Sequence, residues 1–128
     1  MNRATFVLAA ATALVVALVV NAEPPRRHPM AEKAEASFFA LLNDSQGSPS
    51  DVLRDLTTAY AIDPTDARTL VLLGLDHLWM AAEGDQRDPM TIQHLVLADH
   101  FFARAQDVNP QDDRIPSWLG PTRLILAG

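Results

Sequence analysis

The chain contains no cysteine. That absence excludes disulfides, thiolate metal sites, covalent haem attachment through thioethers and a lipid-modified N-terminal cysteine. Runs in which polar and apolar residues alternate are also missing, so strands are not expected. There is no Gly-x-Ser-x-Gly, no phosphate-cradling glycine loop and no thiol nucleophile. The carboxylates Asp51, Asp66, Asp88 and Asp112 fall where helices are expected to start, and there they complement the helix dipole. The chain is therefore expected not to be an enzyme and to carry no cofactor. Positive charge is scarce as well, with 10 basic against 16 acidic residues and a net charge of −6. Such a balance disfavours nucleic acid and anionic lipid surfaces, and suits solubility and basic partners.

What is present begins with Arg3 and an apolar run over 6–20, broken only by Thr12 and followed by Val20-Asn21-Ala22. A run of 15 residues reaches about 22 Å as a helix, short of the roughly 30 Å hydrocarbon core. Residues 1–22 read as a secretory signal with cleavage before Glu23, which implies a periplasmic or secreted protein. The alternative is an uncleaved anchor in the inner membrane. Removing the signal takes away one charge, Arg3, and leaves 106 residues, enough for one small domain held by packing alone. Residues 23–30, with three prolines and two arginines, read as a linker.

From there to the end, one passage occurs twice at an offset of 46 residues. The first copy is Ala59, Ile62-Asp63-Pro64, Asp66, Arg68 and Leu72-Leu73-Gly74. The second is Ala105, Val108-Asn109-Pro110, Asp112, Arg114 and Trp118-Leu119-Gly120. A helix that ends before proline, a short turn and an Asp that opens the next helix describe stacked helical hairpins. Apolar spacing predicts helices over 31–42, from a Ser50 cap to Ile62, from an Asp66 cap to Ala82, from Pro89 to Asn109, and from Asp112 or Asp113 onward. The third is apolar on nearly every face and is expected to be central, with Gly74 in close approach to a neighbour. The fourth has the stripe Ile92, Leu95, Ala98, Phe102 and Ala105.

These residues resemble the tetratricopeptide repeat family. Leu70, Leu73, Gly74 and His77 match the first half of its pattern, with Leu for Trp and His for Tyr, and Ala98, Phe102, Ala105 and Pro110 match the second. Leu56, Ala59 and Pro64 look like the end of an earlier repeat; Leu119 and Gly120 look like the start of a later one. The period of 46 exceeds the family's 34, and the excess lies between Gly74 and Ala98, in an expanded hairpin over 67–109. The resemblance implies an all-α domain over 31–128 of antiparallel hairpins in a short array. A plain α-helical bundle with a shared Asp/Asn-Pro turn is the other reading.

The resemblance further implies a protein–protein interaction adaptor or scaffold that holds another protein or peptide segment on the face formed by the first helix of each hairpin. By register that face carries Arg68, Val71, Leu75 and Leu78, with Arg114 and Ser117. The two arginines would clamp a carboxylate, or each would pair with its turn acid, Asp66 or Asp112. Two alternatives stand beside it. One is a small metal- or cofactor-binding bundle using His77 and His94, which fall where the third and fourth helices meet; the other is the N-terminal part of a longer repeat protein. The apolar end, Leu124-Ile125-Leu126, either docks back, forms a homodimer or continues into such an array.

Overall fold

A computed structural model describes residues 26–128; the signal and anchor readings of 1–22 lie outside the described residues. The described residues form five helices and no strand: α1 Pro29–Asp44, α2 Pro49–Ile62, α3 Ala67–Glu83, α4 Pro89–Val108 and α5 Ile115–Ala127. Among them no helix is long and apolar enough to cross a membrane.

Three of the helices start alike, with a capping side chain followed by proline. His28 Nδ1 accepts from the Met30 N–H, Ser48 Oγ from Asp51, and Asp88 Oδ1 from Met90. Proline fits the first helical position because its missing N–H would have no helical acceptor there. The second helix is therefore capped by Ser48 rather than Ser50, and the first starts two residues before the expected position. Asp66 precedes α3 but makes no capping hydrogen bond to the backbone; Arg27 and Thr69 occupy its carboxylate instead. The last helix starts at Ile115, because Asp112 is committed to the turn, accepting from the Arg114 N–H at 3.1 Å.

Two apolar clusters share α3. The first joins Ala31, Ala34, Phe38 and Leu41 of α1, Val52, Leu56 and Ala59 of α2, and Leu72 and Leu73 of α3. The second joins Leu70 of α3, Ala98, Phe102 and Ala105 of α4, and Ile115 and Leu119 of α5. Each large side chain withdrawn from water contributes about 1.5–3 kcal/mol, and α3 supplies such residues to both clusters, as its all-round apolarity requires. Helices α3 and α4 run antiparallel: the neighbours Gly74 and Phe102, His77 and His94, and Gly84 and Thr91 step in opposite directions. The extra residues of this hairpin lengthen its helices to 17 and 20 residues, and only residues 84–88 form the loop. Ile92 departs from the expected stripe. It is half exposed, and Thr91 is buried in its place near Gly84.

Candidate partner-binding groove

The N-terminal half of α3 is flanked by α1 on one side and by the α4–α5 turn on the other. Between them lies a groove of about 450 Å³. Phe39 of α1, Val71, Leu72 and Leu75 of α3, and Trp118 of α5 supply its apolar surface. Its polar groups are Glu35 and Arg68 at one side and Asn109, Asp112 and Arg114 at the other.

Of the residues expected on the binding face, Arg68, Val71, Leu75 and Arg114 line this groove. Leu78 does not; it packs against the α3–α4–α5 cluster. Ser117 is exposed but its hydroxyl is spent on the Arg114 carbonyl at 2.5 Å. The groove also contains Phe39 and Trp118, which the register alone did not point out. Two adjacent aromatics on one helix cannot share a face, so with Phe38 buried, Phe39 turns outward and makes an edge contact to it at 5.5 Å. Trp118 stacks on Phe102 at 5.8 Å, which fixes the ring as a wall.

The two arginines are held differently. Arg114 grips Asp112 with both prongs of its fork, Nε to Oδ1 and Nη2 to Oδ2, each at 2.9 Å. Those hydrogen bonds hold the Asp112 carboxyl below its ordinary range and raise Arg114. Arg68 donates through Nη2 to Glu35, not to its own turn acid. Glu35 is shared, since Arg27 also donates to it. Arg27 reaches on to Asp66 with Nη2 at 2.8 Å, so a chain of alternating charge runs Asp66, Arg27, Glu35, Arg68. Burial alone would raise the Asp66 carboxyl, but hydrogen bonds from Arg27 and Thr69 outweigh it and hold the group below its ordinary value. Arg68, with 66% of its side chain accessible, is the outward end of that chain.

The histidines meet where expected. His77 Nδ1 and His94 Nδ1 lie 3.0 Å apart between α3 and α4, and Phe101 stacks on the buried His77 ring at 5.7 Å. Burial, and secondarily His94, lowers His77 to about 4, so its imidazole is neutral at physiological pH. One residue earlier, Asp76 is wholly buried and neither carboxylate oxygen has a hydrogen-bond partner among the described residues. That burial, with a smaller contribution from the Glu83 charge, pushes it up to about 7. Among the described residues no cluster of three or more histidine or acidic side chains is arranged around a common metal position. Comparison with protein-family models, with curated proteins and with solved structures returns no match.

Proposed function

We propose that this chain is an exported, tetratricopeptide-like adaptor or scaffold of the cell envelope that holds a segment of a partner protein in the α1–α3–α5 groove. The observation that carries this reading is the groove itself: an apolar floor walled by Phe39 and Trp118, with an exposed guanidinium on either side. Apolar anchors of the partner supply affinity, and the charges select which segment docks.

Arg68 is the better placed of the two arginines to take a partner's carboxylate. If it turns to the ligand, Glu35 keeps Arg27 as a counter-ion and no half-buried acid is left alone. Releasing Arg114 would instead strip Asp112 of both hydrogen bonds from that side chain. The favoured segment thus presents apolar side chains to Val71 and Leu75 and one carboxylate towards Arg68.

The test is a photo-crosslinking amino acid at Leu75 of the full-length chain in its native envelope, compared with one at the exposed Gln93 of α4. The expected result is a discrete adduct at Leu75 only, whose captured segment binds the Arg68→Ala variant about tenfold more weakly, the loss of one charge-assisted bond. Equal labelling at both positions, or undiminished binding by Arg68→Ala, would overturn the reading.

A further inference from the structure

The His77 and His94 pair lies away from the groove, and neither residue takes part in the proposed docking. We infer that the two facing imidazoles form a binding site for a divalent late transition metal, Cu²⁺ or Ni²⁺, bridging α3 and α4 through both Nδ1 atoms. The inference starts from the distance. Imidazole nitrogens bind such ions at about 2.0–2.1 Å, and two nitrogens 3.0 Å apart then subtend roughly 91–97° at the metal. That angle is the cis angle of a tetragonal or octahedral ion, the geometry of Cu²⁺ and Ni²⁺. A tetrahedral zinc ion would need the nitrogens at about 3.3–3.4 Å.

The surroundings fix the orientation of the buried ring. His77 is clamped between His94 and the parallel ring of Phe101, tilted only 6° from it, so its orientation is set before any metal arrives. In the neutral pair one Nδ1 donates to the other. Metal binding needs both rings as Nε2–H tautomers, a proton relocation within one ring that releases no proton. His94 is half-buried, which leaves an open side where water completes the coordination sphere. Two protein ligands give a weaker site than a four-ligand structural one, and the ion acts as a clip between the antiparallel helices of the hairpin.

The probe is Ni²⁺ or Cu²⁺ alone, titrated into the chelator-treated full-length chain by calorimetry, with Cu²⁺ spectra read for nitrogen hyperfine structure. His94→Ala is the main variant because the residue is less buried than His77, and His100→Ala, further along the same helix, is the control. Equal melting temperatures in chelator verify that His94→Ala is folded; if it is not, His94→Gln takes its place. The expected outcome is one ion per chain with two nitrogen ligands, Ni²⁺ raising the melting temperature, at least about tenfold weaker binding in the His94 variant, and no change in His100→Ala. Undiminished binding in the His94 variant, no saturable binding at all, or Zn²⁺ binding tighter than Ni²⁺ would each overturn the inference.

Discussion

The turn from α2 into α3 and the turn from α4 into α5 are built alike, but the helices that follow them are covered differently. Asp63 and Asn109 end their helices with φ of −135° and −134°, and donate to the carbonyls of Ala59 and Ala105 at 3.0 and 2.8 Å. The same offset of 46 continues past the turn: Thr69, Leu73 and Asp76 are buried on α3, and Ile115, Leu119 and Thr122 are buried on α5. Within these sets Leu73 packs back on α2, and Ile115 and Leu119 pack back on α4. Helix α3 has a second buried stripe, Leu70, Gly74, His77 and Ala81, and α4 covers it. Its counterparts on α5 are Pro116, Gly120, Arg123 and Ala127, all exposed. A repeated sequence thus specifies the turn and the backward contact, while the forward contact depends on what each helix presents. The apolar tail also does not fold back over that face, since Leu124 and Ile125 remain largely exposed.

The sharpest break in the comparison is at Asp76 and Thr122, both inaccessible and in equivalent places. Thr122 satisfies its hydroxyl by donating to the Trp118 carbonyl at 2.8 Å, whereas Asp76 has no partner among the described residues. Copying the solution of α5 into α3 with Asp76→Thr lets the hydroxyl donate to the Leu72 carbonyl. The gain expected at pH 8 is about 2–3 kcal/mol, the cost of an unpaired buried charge-bearing group. The gain depends on pH in a definite direction. With Asp76 raised to about 7 from an ordinary 3.8, the folded chain keeps a proton that the unfolded chain releases between those values, so its contribution to stability falls as pH rises from 4 to 7. His77, lowered to about 4 from 6.5, contributes stability that is lost as pH falls from 6.5 to 4. The two slopes oppose each other in the wild type. Denaturation of Asp76→Thr in chelator should therefore show stability rising between pH 4 and 6.5, with a gap over wild type that widens up to pH 7. A gap independent of pH would mean that Asp76 titrates in the fold as it does in the unfolded chain, so that burial does not raise it.

The next contrast is between the two glycines of Leu-Gly. A Cβ on Gly74 would lie 2.6 Å from a ring carbon of Phe102, which is itself fully buried and has nowhere to move. Gly120 has nothing within 4 Å of that position. Overpacking costs about 1–3 kcal/mol and the gain in helix propensity returns about 1. Gly74→Ala should therefore lose up to about 2 kcal/mol, and Gly120→Ala should gain about 0.5–1, both read from urea midpoints. Equal effects would show that α4 does not press on α3 as tightly as the ring contact implies.

Much of this architecture is legible in the sequence, because it is written in spacing. The duplicated Asp/Asn-Pro passage locates both turns, the Leu-rich stretch marks α3 as central, and Gly74 in mid-helix announces a close neighbour. Part of the groove is legible for the same reason: Arg68, Val71, Leu75 and Arg114 follow from register. Leu78 and Ser117 do not belong to it, because register gives the direction of a side chain and not what has already claimed it. The partner of Arg68 was out of reach for a related reason. Glu35 lies 33 residues earlier, and nothing in a helical pattern tells which α1 acid will face the start of α3. Ile92 lies off the stripe its spacing predicts because Thr91, polar by composition, is tucked against Gly84 and takes the inward position. The Asp76 anomaly lies inside a helix that is otherwise apolar around the same turn, where a single acid reads as an outward residue.

The smallest contrast is between the two ion pairs at the turns. Arg27 and its partners Asp66 and Glu35 are shielded, with 20% of the Arg27 side chain and 13–15% of the acids accessible. Arg114 is 72% accessible, pairs with an acid two residues away and joins no two helices. Arg27→Ala leaves two half-buried carboxylates beside each other with only Arg68 to share, and should cost about 1–2 kcal/mol. Because the folded Asp66 carboxyl is held below its ordinary value, the stability it contributes is present above about pH 4 and is lost as the pH falls further. The Arg27→Ala penalty should shrink over that acid range. Arg114→Ala should cost less than Arg27→Ala, because Asp112, though only 12% accessible, keeps its hydrogen bond from the backbone N–H of residue 114 and loses no contact between helices. The pair of variants thus separates charge that ties α1 to α3 from charge that only decorates a turn. If Arg114→Ala proved the more damaging, the second turn, and not the Arg27 chain, would be the electrostatic anchor of the groove.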